Sequence, residues 1–452
     1  MKEIINTLSH DIESRLIPSK YELLPNLNEL YELKLAFYES LLLSPEKLQK
    51  RGAYFARINN KYTRHFLMCT GSPIKLPDHS SARLKSFFEK NIFRTGYATH
   101  GLFPYRGKFH PQMIKGLINM MGIEEGEIVL DPMMGSGTVP VEASLMRINS
   151  VGLDASPFCR FMSQTKIDTL TMSLTRVEKA LANYKDIFEY FQDKIGKPRV
   201  GSKSYQRKNN SCLETMEPIS KYVSACNYNN LTQKERETSD THNFVLLAFL
   251  DSSGYAERSS RKSPLEYFRS VIERYFFVAK KIQNVLQGYE SELGEAKIFV
   301  GDACSLPLET GCVDGIIFSP PYSFAIDYLK NDSFHLKAFE VNIEDLRKKM
   351  IGLRGYKLEE KYNYYIEDMR KVLSECSRVL KKGRICTLII GTNSNQLSKV
   401  FGVSPEKVKG LHEQMINLAA EFNMKLVKEI SRSIIGISNT MRREYILMFL
   451  NK

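Results

Sequence analysis

Residues 128–138 of this 452-residue chain read IVLDPMMGSGT. The run begins as an apolar strand, turns at two glycines and continues into a helical pattern. Gly135 and Gly137 allow a tight turn and a close approach of the backbone to a ligand, which a Cβ would block. The pattern therefore predicts a strand, a binding loop and a helix, with Ser136 or Thr138 as the helix cap.

The binding loop favours a cationic ligand over a phosphate. A phosphate-binding loop would carry a Lys-Ser or Lys-Thr pair after the glycines, and this loop does not. Asp131 at the strand tip would repel a phosphate, whereas it would attract an ammonium or sulfonium group.

Similar strand patterns recur along the chain with helical stretches between them. Strands that alternate with helices predict an α/β fold with a doubly wound sheet of about seven strands. The last predicted strand is expected to be an edge or antiparallel strand. The predicted strands are 127–130, 150–153, 297–300, 315–318, 385–390, 426–430 and 445–450.

Two further carboxylates follow predicted strands. Asp154 ends the second strand, where an acid can accept two ribose hydroxyls in doubly wound folds. Asp302 follows the third strand, where a carboxylate could accept an adenine amine. Each acid alone would more often be a helix cap, but three strand-tip acids together with the glycine loop indicate a binding edge.

The fourth predicted strand runs into the tetrapeptide SPPY, residues 319–322. Two successive prolines fix φ and remove two backbone donors, so the nearby carbonyls stay free as acceptors. Such a tip suits a planar molecule whose exocyclic amine donates to Ser319 Oγ and a proline carbonyl while its ring stacks on Tyr322. An extruded nucleobase is one such molecule. An isolated SPPY would more often simply end a strand.

Composition narrows the class of protein. The formal net charge of +13 and the pI near 9.1 favour a polyanionic partner, although basic enzymes share this balance. The eight cysteines form no C-x-x-C pair, so neither a zinc site nor a disulfide framework is predicted. No apolar run is long enough to span a bilayer and no secretory signal is evident, so a cytoplasmic protein without a membrane partner is expected.

The chain is predicted to contain three regions. Residues 1–96 form a helical, basic region with a candidate DNA contact, and leucine spacing predicts a helix or helical pair over Tyr21 to Leu43. Residues 97–170 and 296–452 form the catalytic domain. Residues 171–295 form an insertion, helical at 174–194 and 244–287, that is a candidate target-recognition region. The candidate DNA contact interleaves Lys47, Lys50, Arg51, Arg57, Lys61 and Arg64 with Tyr54, Phe55, Tyr62 and Phe66.

The motifs DPMMGSGT and SPPY together resemble those of the N-4/N-6 DNA methylase family, the S-adenosylmethionine-dependent amino-methyltransferases of DNA. The serine form of the second motif resembles the N4-cytosine branch. The segment from His100 to Gln112 is similar to the one that these enzymes place before the first strand to close over the cofactor's methionine end. The likeness includes residues 325–328 and 378–384 and covers roughly 97–168 and 296–450.

The resemblance implies a Rossmann-like methyltransferase that transfers a methyl group from S-adenosyl-L-methionine to the N4 amine of an extruded cytosine in double-stranded DNA. It also implies a restriction-modification system with a cognate restriction endonuclease as a candidate partner. The implied catalytic residues are Ser319, Pro320, Pro321 and Tyr322. The implied cofactor-binding residues are Lys108, Phe109, His110, Pro111, Asp131, Pro132, Met133, Gly135, Ser136, Gly137, Thr138, Asp154, Ala155, Asp302 and Ala303.

The sequence departs from the family pattern in two places. The large insertion precedes Asp302, whereas one family arrangement places target recognition between the Asp302-type motif and SPPY. Met133 stands where an aromatic residue is usual, and its flexible thioether can fill the same apolar contact.

Several alternatives stay open at this point. The nearest is N6-adenine methylation, because only Ser319 favours cytosine. The others are methylation of an RNA base amine and an inactive DNA-binding module. Cytosine C5 methylation would need a nucleophilic Pro-Cys pair, which the chain lacks. The sequence leaves the oligomeric state open.

Overall fold

A computed structural model describes residues 16–25, 27, 29–70, 96–105, 107–195, 232–258, 262–287, 293–321, 327–433 and 443–452. Short 3-10 helices occur at Ala98–Gly101 and Pro405–Lys407. The strands are β1 (Tyr21–Leu23), β2 (Phe55–Ile58), β3 (Lys61–Tyr62), β4 (Ile128–Asp131), β5 (Asn149–Asp154), β6 (Ala296–Val300), β7 (Val313–Phe318), β8 (Leu380–Gly391), β9 (Met424–Ser433) and β10 (Arg443–Asn451). The helices are α1 (Leu30–Leu42), α2 (Pro45–Arg51), α3 (Arg64–Thr70), α4 (Pro111–Met120), α5 (Thr138–Leu145), α6 (Pro157–Asp168), α7 (Leu174–Ala182), α8 (Tyr184–Ile195), α9 (Gln233–Arg258), α10 (Pro264–Gln287), α11 (Tyr328–Asn331), α12 (Ser333–Ala338), α13 (Ile343–Lys349), α14 (Leu358–Val379), α15 (Ser394–Phe401) and α16 (Leu411–Glu421).

The seven predicted strands form one sheet in the order β6-β5-β4-β7-β8-β10-β9. Strands β4 to β8 pair in parallel, and β10 pairs antiparallel with both β8 and β9. The predicted α/β fold is therefore confirmed. The last strand, β10, is antiparallel, which confirms one of the two expectations for it. It is not an edge strand, because it lies between β8 and β9 and β9 forms the edge.

Helices cover the sheet on both faces. Consecutive residues of the central strands alternate between two hydrophobic cores: Ile316 and Phe318 of β7 join α14 and α16 in one core, and Ile317 joins α1, α4 and α5 in the other. Every residue of β7 is buried, as expected for a parallel strand that is covered on both sides.

The chain reverses its direction of travel across the sheet between β4 and β7. From β4 it proceeds outward to β5 and β6, and then it returns to β7 on the other side of β4. The carboxyl ends of β4 and β7 therefore flank a topological switch point, which is where ligands bind in open α/β sheets.

Ion pairs fix the opposite, amino-terminal edge of the sheet. Asp314 near the start of β7 is 3% exposed and accepts from the Ile128 amide at 3.1 Å. Its other oxygen lies 2.7 Å from Lys381 Nζ and 3.3 Å from Arg384 Nη2, and Arg384 also pairs with Glu127. These contacts tie β4, β7 and β8 together at the edge away from the switch point.

The N-terminal region differs from the predicted helical region. Residues Tyr21–Leu23 form a strand, so the expected helix over Tyr21 to Leu43 begins only at Leu30. Strands β1, β2 and β3 make a small antiparallel sheet because Phe55–Ile58 supplies a largely buried strand that a helix-based interpretation missed. Tyr31 and Leu35 of α1 share a core with α4 and the main sheet.

Contacts divide the described chain into two compact units that differ from the predicted boundaries. The first unit holds the described residues of 16–67, 108–160 and 293–452, so it includes most of the N-terminal region together with the sheet. The second holds 68–70, 96–107 and the described parts of 161–287. The predicted recognition role of the insertion stays a prediction, and residues 196–231 of the insertion lie outside the described residues.

The second unit is helical at both predicted stretches, with α7, α8, α9 and α10. Within it, Tyr275 Oη donates to buried Asp251 at 3.0 Å and accepts from the Phe103 amide at 2.7 Å. Arg274 pairs with the same Asp251 carboxylate at 2.6 Å. Among the helices that the structure describes, none is long and apolar enough to cross a membrane.

Candidate cofactor and substrate site

The glycine loop joins β4 to α5 at the switch point. Gly135 and Gly137 have φ values of 48° and 75°, the left-handed region in which a side chain would be strained. Gly137 is itself the N-cap of α5 and no side chain caps the helix, so the prediction of a cap by Ser136 or Thr138 is wrong. Ser136 Oγ lies 3.4 Å from Thr138 Oγ1 instead. The first turn of α5 therefore has no side-chain cap.

Asp131 is the most unusual group of the loop. Its side chain is fully buried, Oδ1 accepts from the Met133 amide at 3.1 Å, and Oδ2 has no hydrogen-bond partner among the described residues. Burial, with the nearby Asp154 charge adding to it, raises the pKa of Asp131 well above its usual range. A buried carboxylate with a free oxygen fits a ligand that brings a positive charge.

Asp154 holds the loop from the tip of β5. Its Oδ2 accepts from the Gly135 amide at 2.9 Å and its Oδ1 accepts from the Ser156 amide at 2.8 Å. Burial raises the pKa of Asp154 against these two hydrogen bonds. Gly152 allows β5 to lie close to the glycine loop, because a Cβ at residue 152 would lie only 2.6 Å from Met134 Sδ. The carboxylate keeps lone pairs for further donors such as hydroxyls.

Asp302 follows β6, the edge strand that pairs with β5 on the side away from β4. Its side chain is exposed, and its Oδ1 accepts from the Cys304 amide at 2.8 Å, which turns the chain after the strand. The neighbouring Ala303 is buried. The three strand-tip acids thus follow three adjacent parallel strands at one edge of the sheet.

Ser319 follows β7, the strand on the other side of β4. It is half-buried, and its Oγ donates to the Pro320 carbonyl at 3.4 Å, a long hydrogen bond that leaves the hydroxyl lone pairs available. Pro320 is buried and Pro321 half-buried. Tyr322 lies outside the described residues.

Residues 108–111 lead into α4, which packs on the sheet before β4. Because α4 runs back towards the amino end of β4, its first residues lie towards the carboxyl edge. Burial lowers the pKa of Lys108 to about 8. Phe109 packs against the core, and His110 is the N-cap residue of α4.

The predicted cofactor residues all lie in the first unit. Asp302 is exposed. The half-buried ones are Lys108, Phe109, His110, Met133, Gly135, Asp154 and Ala155. The buried ones are Pro111, Asp131, Pro132, Ser136, Gly137, Thr138 and Ala303.

A buried ion pair behind the loop was missed from the sequence. Glu142 of α5 lies 3.3 Å from Lys115 of α4, and their side chains are 0% and 2% exposed. His65 Nδ1 lies 3.3 Å from the same Lys115 Nζ. In sequence these charges resemble ordinary solvated helix faces, so no local signal marks them. Together they fix the helix that follows the glycine loop.

Much of the predicted basic DNA contact is not available at the surface. Tyr54 and Phe55 are core residues, and Arg51 is buried against Asn119 and the Ile123 carbonyl. Arg64 is buried as well. The exposed members of the stretch are Lys47, Lys50, Lys61 and Tyr62.

The sheet order and the glycine loop define a Rossmann-like α/β fold, and two segments of the chain are similar to methyltransferase family models. Residues 102–230 match a family described as an RMKL-like methyltransferase domain, and residues 313–452 match one described as a DNA methylase, of the N6/N4 type. Residues 313–452 are therefore similar to this DNA methylase family. These matches confirm the predicted resemblance and the predicted cofactor, S-adenosylmethionine.

Curated relatives are similar over part of their length. The type II methyltransferase M.MjaII of Methanocaldococcus jannaschii is 34% identical over 97 residues, 22% of this chain and 18% of the relative. The type II methyltransferase M.BsoBI of Geobacillus stearothermophilus is 21% identical over 306 residues, 59% of this chain and 58% of the relative. A tRNA (guanine(10)-N2)-dimethyltransferase of Methanothermobacter thermautotrophicus is 28% identical over 85 residues, 19% of this chain and 25% of the relative. The chain thus spans less than two thirds of each relative.

Proposed function

We propose that the protein is a site-specific DNA methyltransferase that methylates the exocyclic N4 amine of an extruded cytosine in double-stranded DNA. The observation that carries the proposal is the pairing of β4 with β7, which sets the Asp131 loop and the Ser319 tip on either side of the switch point. One side suits a cationic cofactor and the other suits a base amine.

S-Adenosylmethionine, when bound, supplies an electrophilic methyl group on a sulfonium. The free Oδ2 of Asp131 would accept from its ammonium group, and Asp154 from its ribose hydroxyls. Gly135 and Gly137 leave space for its close approach, and Asp302 with Ala303 would border the adenine. Residues 108–111 would cover the methionine end.

The tip of β7 would hold the target amine. Ser319 Oγ and the Pro320 carbonyl would accept hydrogen bonds from the two amine hydrogens, which would leave the nitrogen lone pair free to attack the methyl group in line. The N–C bond would form as the S–C bond breaks, S-adenosylhomocysteine would leave, and the methylated amine would release one proton to water. Positioning of the two reactants would supply most of the rate enhancement. Tyr322, the predicted stacking residue, would offset part of the few kcal/mol that extrusion costs.

Ser319 is the reason for choosing cytosine over adenine. The similarity to two type II methyltransferases supports DNA as substrate and a cognate restriction endonuclease as partner. N6-adenine methylation is the nearest alternative, since it would use the same cofactor loop and the same Pro-Pro acceptors.

An RNA base amine is a second candidate, favoured by the partial similarity to a tRNA (guanine(10)-N2)-dimethyltransferase. It predicts methyl transfer from labelled cofactor to transfer RNA but not to duplex DNA. An inactive DNA-binding module would instead give no heat of S-adenosylmethionine binding in isothermal titration.

The deciding experiment is expression in a methylation-free bacterial host, followed by sequencing of native DNA with modification detection. We expect N4-methylcytosine within one short sequence, and far fewer modified sites with a Ser319→Ala control. N6-methyladenine would transfer the assignment to adenine. Unmodified DNA, from a protein that binds S-adenosylmethionine, would refute the DNA function.

A further inference from the structure

The connection between β7 and α14 carries a surface that the motifs do not use. It extends from Ser319 to Lys357 and contains the three short helices α11, α12 and α13, so it is far longer than the roughly 2–6 residues of a simple strand-to-helix loop. We propose that residues 347–357 of this connection contact the DNA duplex beside the extruded base. In this arrangement the ring of Tyr356 packs on a nucleobase and nearby lysines contact phosphates. The inference rests on the proposed function and names a further part of its substrate surface.

Topology brings this segment to the active edge of the sheet. Leu380, directly after α14, pairs with Val313 at the start of β7, so α14 ends at the amino edge. Buried Tyr365 and Met369 pack the helix along the sheet. With 22 residues α14 is about 33 Å long, so Lys357 before its first turn lies towards the carboxyl edge, as Ser319 does.

The charge of the segment suits a polyanion. Residues 347–357 contain five cations and no acid. Lys349 and Lys357 are exposed, and Lys348 makes only an exposed pair with Asp345, at 3.3 Å. Such solvent-exposed pairs are weak and yield readily to a phosphate.

Tyr356 is presented by an ordered loop. Its side chain is 98% exposed, although Ile351 and Leu353 just before it are buried. The Tyr356 and Lys357 amides donate to Glu360 Oε2 at 3.1 and 3.3 Å. Arg354 Nε donates to the buried carboxylate of Asp368 at 3.2 Å.

Two glycines shape this loop, with φ of 81° at residue 352 and 91° at residue 355. Because the backbone is already fixed, a base that stacks on the ring would lose little affinity to ordering of the loop. An exposed aromatic ring between cations is the arrangement that binds bases and backbone together.

The test compares Tyr356→Ala and Lys357→Gln with a control pair on the edge strand β9, Val427→Ala and Lys425→Gln. Each pair truncates one exposed apolar or aromatic side chain and removes the charge of one nearby exposed lysine. Fluorescence anisotropy of a labelled duplex that carries the modified sequence gives Kd, and isothermal titration gives S-adenosylmethionine affinity. Thermal unfolding verifies that each variant folds.

We expect Tyr356→Ala to raise the duplex Kd about tenfold, as loss of one stacked base would. Lys357→Gln should raise it roughly threefold and lower the salt slope by about one. Cofactor affinity of the loop variants, and duplex binding by the β9 variants, should match the wild type.

Unchanged duplex binding in both loop variants, while the wild type still methylates DNA, would overturn the loop assignment alone. An equal loss in the β9 variants would also overturn it, because the effect would then be one of general charge. Loss of transfer RNA binding without loss of duplex binding would assign the loop to RNA. A wild type that modifies no DNA would remove the proposed function and this inference together.

Discussion

Asp131 and Asp314 are buried carboxylates on the paired strands β4 and β7, but they lie at opposite edges of the sheet. Asp314 accepts from a backbone amide and pairs with Lys381 and Arg384. Asp131 accepts one amide through Oδ1, and its Oδ2 has no partner among the described residues.

The difference separates a structural acid from a binding acid. Burying a charge is unfavourable unless it is paired, so a fully paired carboxylate needs nothing further. A carboxylate with a buried free oxygen costs stability until a ligand supplies the missing charge.

The largest effect on methylation is expected at Ser319, which follows β7 on the side of the switch point opposite Asp131. Ser319→Ala should lower kcat about 100-fold, because an acceptor of the reacting amine is lost, and should leave cofactor affinity near wild type. Asp154→Ala should weaken cofactor affinity far more than it lowers kcat, because Asp154 accepts a hydrogen bond from Gly135 and so holds the glycine loop. Single-turnover methylation and isothermal titration separate the two effects. Equal losses of cofactor affinity in both variants would contradict the site assignment.

Asp131→Asn should weaken S-adenosylmethionine binding about 30-fold, the value of one charge-assisted hydrogen bond. The pKa of Asp131 is raised in the free protein, and binding of a cation needs the ionised form. Wild-type affinity should therefore fall as pH drops through that raised pKa, and Asp131→Asn should remove this component of the pH dependence. Titrations over a pH series would reveal it. Identical pH profiles for both proteins would rule out Asp131 as the group that binds the cation.

The smallest effects concern stability without cofactor. Asp314→Asn should lower the free energy of unfolding by about 2 kcal/mol, because Lys381 and Arg384 lose their carboxylate. Asp131→Asn should change it by less than about 0.5 kcal/mol, because burial already favours a neutral side chain there. Urea unfolding of both variants measures the difference, with exposed Asp345→Asn as the control. Equal destabilisation by the two buried substitutions would remove the contrast.

Much of this molecule follows from local sequence. The apolar runs that became β4, β7 and β8 are buried on both faces and could be recognised by composition alone. The glycine loop and the Ser319-Pro320-Pro321 tip were predicted because φ-dependent residues leave a local signature.

The sequence by itself determined the alternation of strands and helices, the glycine loop and the candidate Ser319-Pro320-Pro321 tip. Tertiary structure alone decided which charges have partners. The Asp314 network, the Lys115–Glu142 pair and the burial of Arg51 join residues far apart in the chain, so no local pattern predicts them. Tertiary structure also decided that Tyr356 is exposed on an ordered loop towards the carboxyl edge of the sheet, because exposure depends on what the rest of the fold leaves uncovered.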